Sequence, residues 1–221
     1  MKREATQSKL VGVGLYSLSD AARLLRTHPS KVRRWMDEQR GVVKRQFASD
    51  RRMLSFLELM ELYFVKMFRE EGVSLQTIQR ASQAAAKKFQ TEYPLAVRRF
   101  DTDGRAIFAT LVKENKDEVF VEDLARGQYV FEKVIKPFFR KIEYRNEAIR
   151  FWPMEPKGRV VLDPNRSFGK PIDAETGVPT RAVYDAWIAG GGQDRATLAK
   201  WFDIPHKAVD AAIEFEQSFA A

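Results

Sequence analysis

Cationic side chains are concentrated in one stretch of this sequence, between positions 31 and 52. The stretch holds eight Lys and Arg residues against three Asp and Glu residues. Ammonium and guanidinium groups donate hydrogen bonds to phosphate oxygens and to acceptor atoms on base edges. Residues of this type in this number therefore indicate contact with a polyanion, with duplex DNA as the first candidate.

A helix before the cationic stretch is predicted over residues 18–25, where apolar residues recur at helical spacing. Ser17 precedes it and is the expected N-cap. The helix ends before Pro29, because the residue preceding a proline disfavours the helical backbone.

A second helix is predicted from Lys31 to about Gln39, with Ser30 as its N-cap and its apolar side chains on one face. In a helix-turn-helix of this kind the second helix enters the major groove of DNA. An extended pair of segments over residues 42–47 and 53–55 would follow as a basic wing. The predicted DNA contacts are Ser30, Lys31, Arg33, Arg34, Arg40, Lys44, Arg45, Arg51 and Arg52.

The excess of positive charge lies in the first quarter of the chain. The 221 residues carry a net charge of +8, of which residues 1–60 hold +7 and the remainder +1. A solvated, salt-bridged face is the alternative interpretation of such charge. Its coincidence with the helix-turn-helix pattern favours DNA binding.

Several classes of protein are disfavoured by what the sequence lacks. There are no cysteines, which excludes disulfides, thiolate zinc sites and thiol nucleophiles. No apolar run approaches the ~20 residues of a membrane span, and the first residues do not form a signal peptide. We therefore expect a cytoplasmic protein with no membrane partner.

The rest of the chain mixes strands and helices. A β-hairpin is predicted over residues 97–109 with its turn at Asp103-Gly104, followed by a helix over 121–139 and a second hairpin over 143–152. A strand over 159–162 precedes three closing helices. The predicted fold class is α+β, mainly α, with a winged helix-turn-helix, a middle hairpin and helix region, and a C-terminal three-helix module. The predicted domains are 1–90, 91–157 and 158–221.

The N-terminal part resembles the MerR superfamily over about residues 15–82. The resemblance rests on three segments, Leu15–Ala22, Ser30–Trp35 and Gly72–Ile78. It implies a winged helix-turn-helix in which Arg33, on the recognition helix, and Arg52, in the wing, contact DNA. Leu54 stands where the family often has a tyrosine, and the effector-binding cysteines are absent, so thiolate metal sensing is not expected.

The C-terminal part resembles a small domain without assigned function that is common in bacterial antitoxins. The resemblance rests on Val161–Pro164, Phe168–Ile172 and the helix containing Ala212–Glu216, whereas residues 174–177 depart from the usual loop. Taken together, the chain resembles VapB-type antitoxins of type II toxin–antitoxin modules. The resemblance implies a PIN-like ribonuclease toxin as partner and repression of the protein's own operon.

Two protein interfaces are also predicted. The helix predicted over 56–71 is more apolar than one buried face requires, which indicates a homodimer through Phe56, Met60, Tyr63, Phe64 and Met67, or else a buried monomer core. A toxin would dock on Arg166, Phe168, Lys170 and Trp187. Alternatively, the tryptophan packs with Trp201, Phe202 and Phe215 in a small C-terminal core.

No enzyme is predicted, and no cofactor or metal. The two histidines, His28 and His206, have no acid and nucleophile at a catalytic spacing. Two other functions stay open. One is a MerR-like regulator with a small-molecule ligand and no toxin. The other is a hydrolase that uses four acidic residues: Asp117, Glu118, Glu122 and Asp123.

Overall fold

The computed structural model describes residues 12–37, 41–47, 52–114, 118–192 and 194–219. They form a mainly helical structure with short strands near the start and between residues 142 and 173. The chain divides into two compact units. One unit is Tyr16–Ala148, and the other joins the segment up to Leu15 with Ile149–Ala221. The three-domain division stays a prediction.

The larger unit opens with two short helices, α1 (Leu18–Leu24) and α2 (Pro29–Trp35). Ser17 is the N-cap of α1, as predicted. Its hydroxyl accepts the backbone N–H of Asp20, and the carboxylate of Asp20 accepts the N–H of Ser17 in return. This reciprocal capping satisfies two backbone donors that the start of a helix leaves unpaired.

The prediction of Ser30 as the N-cap of α2 is wrong. The helix begins at Pro29, two residues before the predicted start at Lys31, and His28 is the N-cap, with its Nδ1 accepting the N–H of Ser30 at 3.2 Å. Proline suits the first helical position because its missing N–H has no partner there in any helix. A proline disfavours the helical backbone conformation only at the residue before it, here His28, and the residues after it can be helical.

The predicted pairing of residues 53–55 with 42–47 is also wrong. Strand β2 (Met53–Leu54) pairs instead with strand β1 (Tyr16–Ser17) in an antiparallel ladder that joins Tyr16 to Leu54. No strand occurs among the described residues 41–47. The backbone N–H groups of Val42 and Val43 donate to the carbonyl of Trp35 instead.

Helix α3 (Phe56–Glu70) runs through the core of this unit, and α4 (Leu75–Phe89) follows it. Ser55 and Ser74 are their N-caps. Nine residues of α3 are buried, on more than one face. This burial agrees with the second of the two predicted explanations for the apolar excess of this helix, a buried core within the protomer.

The predicted hairpin over residues 97–109 is wrong, because α5 (Arg98–Glu114) is a continuous helix there. Gly104, assigned to a turn from its sequence, is buried inside this helix. A Cβ on Gly104 would lie 2.3 Å from Cε2 of Phe131. The glycine is needed for close packing against an aromatic ring, which local sequence cannot distinguish from a turn.

Replacing Gly104 with alanine is expected to destabilise the protein by about 1–3 kcal/mol. At an open helical site the same change is stabilising by about 1 kcal/mol. Here the added methyl group meets Phe131, which is 1% exposed and packs edge-on against Phe100 at 5.4 Å. Urea unfolding of the single variants and of Gly104→Ala/Phe131→Leu measures the coupling. Stabilisation by the single Gly104→Ala change would contradict the packing described.

The larger unit closes with one irregular helical segment and a strand. Helix α6 (Glu118–Val130) continues into a π-helical turn (Phe131–Ile135), the short α7 (Lys136–Phe138) and a 3₁₀ turn (Phe139–Lys141). Strand β3 (Ile142–Tyr144) follows. The second predicted hairpin is confirmed at its turn, where the N–H of Arg145 donates to the carbonyl of Glu147.

The smaller unit combines an antiparallel sheet with three helices. Strand β5 (Val160–Leu162) pairs with β4 (Ala148–Phe151) on one side and with β6 (Pro171–Asp173) on the other. The helices are α8 (Thr180–Ala189), α9 (Arg195–Trp201) and α10 (His206–Gln217). They pack around a shared apolar cluster that includes Val183, Leu198 and Ile213.

Candidate nucleic-acid interface

Helix α2 presents a polar, positively charged face. Its apolar side chains, Val32 and Trp35, are buried. The side chains of the opposite face are exposed, and they are Ser30, Lys31, Arg33 and Arg34. Helical periodicity thus separates the core contacts from three cationic groups aimed at solvent.

The cations that follow α2 are placed differently from one another. Arg52 is exposed at the start of β2, and its carbonyl accepts the N–H of Leu18. Lys44 is exposed and forms an ion pair with Glu92. Arg40 and Arg51 lie outside the described residues.

Arg45 faces inward, unlike Lys44 and Arg52. Its side chain is 10% exposed, its Nη2 donates to the carbonyl of Met53 at 2.8 Å, and its Nε lies 3.6 Å from Glu58 Oε1. Its guanidinium is engaged within the domain. We therefore assign Arg45 to holding the segment after α2 in place, and leave it out of the proposed DNA surface.

Glu58 holds the same segment, residues 41–47, through a hydrogen bond to its backbone. Its carboxylate accepts the N–H of Gln46 at 3.1 Å and the N–H of Ser55 at 2.6 Å. Burial raises the pKa of Glu58 above its ordinary value, although the hydrogen bonds and the charge of Arg45 act against that rise. Neither the carboxylate nor its contact with residue 46 followed from the sequence analysis.

The exposed face of α2 that carries Ser30, Lys31, Arg33 and Arg34 is called the recognition face below. A cavity of about 350 Å³ opens beside it. Its wall is shared by α2, which contributes Lys31, Arg34 and Trp35, and by the C-terminal end of α3, which contributes Lys66, Arg69 and Glu70. Lys66 and Arg69 are not among the DNA contacts predicted from the sequence. The sequence feature that points to these two residues is a pair of cations three residues apart at the end of an otherwise apolar helix.

The five predicted dimer residues divide between the core and the periphery of α3. Phe56, Met60 and Phe64 are at most 1% exposed, so the fold of the protomer already buries them. Tyr63 and Met67 are half-buried, and the Tyr63 hydroxyl donates to the carbonyl of Leu24 at 2.8 Å. A homodimer through this helix stays a prediction, and only Tyr63 and Met67 retain surface for it.

The predicted toxin contacts lie in the smaller unit. Phe168 is 59% exposed, with a left-handed backbone at φ +53°, and Lys170 beside it is exposed. Arg166 donates to the carbonyl of Ala174 at 2.7 Å, which braces the loop. The loop therefore exposes an aromatic ring and, two residues later, a cation.

The C-terminal aromatic residues are only partly buried as a core. Phe215 is buried, and Trp187 is half-buried against the helical cluster with its ring 5.7 Å from that of Tyr184. Trp201 is 73% exposed, so its predicted burial is wrong. It occupies the last position of α9.

The acidic residues considered for hydrolysis do not form a described site. Asp123 accepts the backbone N–H of Ser74 at 3.1 Å and lies 3.7 Å from Arg126, which gives it a structural part at the start of α4. Glu122 is exposed, and Asp117 and the side chain of Glu118 lie outside the described residues.

No group of three His, Asp or Glu side chains able to hold a metal occurs in the described part of the chain. The described helices include none with the length and apolarity of a membrane span.

Comparison with known proteins gives three similarities. Residues 16–85 match the MerR HTH family regulatory protein domain. Over 147 residues the chain is 30% identical to the Mycobacterium tuberculosis protein named "Putative antitoxin VapB45", a match that covers 62% of this chain and 61% of that protein. The fold is similar to the crystal structure of Rv2018 from Mycobacterium tuberculosis, with a TM-score of 0.72, 21% identity, and coverage of 90% of this chain and 96% of that one.

These similarities have different reach. The match over residues 16–85 establishes a MerR-type helix-turn-helix and indicates DNA binding and transcription regulation. The VapB45 match spans about three fifths of that protein's length, so it shows a relationship to part of that protein. At 21% identity, the likeness to Rv2018 extends to the fold alone.

Proposed function

Because this chain carries a MerR-type helix-turn-helix and resembles a VapB-type antitoxin, we propose that it is a DNA-binding antitoxin. It binds the operator of its own genes and represses them. It also binds and neutralises a PIN-like ribonuclease toxin. It acts in the cytoplasm as a homodimer, which presents two recognition helices to a palindromic operator about one helical turn apart.

The exposed cationic face of α2 is the observation that carries the DNA-binding part. Lys31, Arg33 and Arg34 point away from a buried apolar face. Arg33 is the recognition-helix contact, and Arg52 contacts the flanking backbone from the segment that acts as a wing. Lys31, Arg34 and Lys44 add phosphate contacts.

The smaller unit is the toxin-binding module of this proposal. The segment 159–221 carries seven basic and nine acidic residues, which makes it a poor surface for DNA. Exposed aromatic side chains surrounded by polar groups are typical anchors of protein interfaces. Phe168 and Lys170 are the proposed anchor, braced by Arg166, with Trp187 as a further contact.

Co-expression of the full chain with the product of the adjacent open reading frame tests the proposal. The two proteins are expected to co-purify, and the antitoxin to restore growth to cells that the partner arrests. If no nuclease co-purifies with the chain and growth is not restored, the antitoxin function is contradicted.

Phe168→Ala is expected to weaken toxin binding by about tenfold or more, because an exposed aromatic anchor is buried only in the complex. Stability should change little, since the ring is 59% exposed in the free protein. Tyr129→Ala is the matched control, since this aromatic is 63% exposed in the other unit. Calorimetric titration of the toxin measures both. Equal affinities for the two variants would remove Phe168 from the interface.

A further inference from the structure

The cavity between α2 and α3 has the charge of an anion site. Its described lining residues include four cations, Lys31, Arg34, Lys66 and Arg69, and one carboxylate, that of Glu70. Charge of one sign in a concave site focuses the electrostatic potential and raises the local concentration of counter-ions. This arrangement favours a ligand with at least two negative charges.

The cations are free to act on a ligand to different degrees. Lys31 and Arg34 are exposed and form no ion pair with another residue that the structure describes. Arg69 donates through Nη1 to the carbonyl of Val73 at 2.6 Å, which fixes its position and leaves its other N–H groups available. Lys66 is held by Glu70 at 2.7 Å. The site thus combines one fixed guanidinium with a lysine under the control of a neighbouring carboxylate.

The size and the walls of the cavity narrow the ligand further. At about 350 Å³ it is at the small end of small-molecule sites. Arginine binds phosphate oxygens in a fork, whereas lysine binds them as a point charge, and the cavity offers both. Trp35 and Leu75 supply apolar wall for a group attached to the phosphate.

We propose that this cavity binds a small phosphomonoester. The ligand's phosphate lies among Lys31, Arg34, Lys66 and Arg69, and its organic group lies against Trp35. Since Lys31 and Arg34 also belong to the recognition face, an occupied cavity competes with the phosphate backbone of DNA. The competition, unlike binding itself, rests on the proposed DNA-binding function.

Calorimetric titration of the full chain with AMP, inorganic phosphate and adenosine tests the site at constant ionic strength. AMP and phosphate are expected to bind saturably, and adenosine is not. Lys66→Gln should weaken AMP about tenfold, because a charged hydrogen bond is lost. Lys87→Gln removes an equal charge from the exposed part of α4 and should leave the affinity unchanged.

Glu70→Gln gives the opposite sign and separates a specific site from general charge. It removes the only carboxylate among the described residues of the cavity wall and releases Lys66, so AMP is expected to bind more tightly. Absence of saturable AMP binding would overturn the proposal. Equal AMP affinity in Lys66→Gln and Lys87→Gln, or phosphate binding without AMP binding, would also overturn it.

Duplex DNA is the second source of phosphate, and a displacement experiment distinguishes it. AMP is expected to displace an operator duplex from the wild-type protein and less so from Lys66→Gln. Arg33→Ala should lose duplex affinity and keep AMP affinity, since Arg33 does not line the cavity. AMP binding without duplex binding would refute the proposed DNA function alone. Duplex binding without AMP binding would refute the cavity assignment alone.

Discussion

Arg33→Ala is expected to weaken operator binding by about 1–3 kcal/mol and to relax base preference at one position of each half-site. The reason is geometric. Arg33 is exposed on α2 next to the buried Val32, in the register that points a side chain out of the domain toward a groove. A guanidinium that reads a guanine edge forms two hydrogen bonds that a phosphate contact does not replace.

Lys44→Ala provides the contrast within the same domain. A lysine that contacts only phosphate should weaken all sequences alike and flatten the salt dependence by about one unit. Arg105→Ala, an exposed arginine of α5, is the control for loss of charge alone. Fluorescence anisotropy against operator and scrambled duplexes at several salt concentrations measures all three. If Arg33→Ala and Arg105→Ala bind the operator equally well, Arg33 does not read DNA.

The helix-turn-helix could be predicted because its determinants are local. The Ser17 cap, the apolar spacing of α1 and the burial of Val32 and Trp35 all depend on residues within one or two turns of each other. The exposure of Arg33 follows from the same spacing. The part of the site that depends on periodicity alone was therefore accessible from the sequence.

The helix α5 could not be predicted because its determinant is distant in sequence. An Asp-Gly pair between apolar residues is a strong hairpin signal. The alternative is a helix in which the glycine leaves room for an aromatic ring. It depends on Phe131, which comes directly after the next helix, α6. Tertiary packing decided between two locally acceptable structures.

The placement of the cations after α2 also depended on distant partners. Arg45 and Lys44 are adjacent in sequence and both carry a positive charge, yet Arg45 is held near the buried Glu58 and Lys44 is exposed. Likewise, Lys66 and Arg69 join Lys31 and Arg34 only because α3 packs beside α2. Composition located the charge, but the fold determined which charges share a surface.

Glu61 is expected to make the stability of the larger unit fall as the pH rises. Its carboxylate is 1% exposed on α3 and accepts the N–H groups of Leu95 and Ala96 at 2.6 and 2.8 Å. Burial raises the pKa of Glu61 to about 8, against these hydrogen bonds, which lower it. Burial and then nearby negative charges, including that of Glu61, raise the pKa of Tyr93 and Tyr144 as well.

The sign follows from proton linkage. Between the ordinary pKa of 4.5 and the folded value of about 8, the folded state binds more protons than the unfolded state. The free energy of unfolding therefore falls across this window, by up to about 1.4 kcal/mol per pH unit for one proton. Glu58 acts in the same direction, because burial raises its pKa too.

Glu61→Gln is expected to flatten this fall, since the amide oxygen still accepts both N–H groups and carries no charge at any pH. The variant should be close to wild type near pH 5 and more stable than wild type above pH 8. Urea unfolding at a series of pH values measures the difference, with the exposed Glu71→Gln as control. A pH dependence identical to that of wild type would mean that Glu61 is ionised in the folded protein throughout. The loop at residues 95 and 96 would then be held by a full buried charge, and loss of that charge in Glu61→Gln would lower stability at every pH.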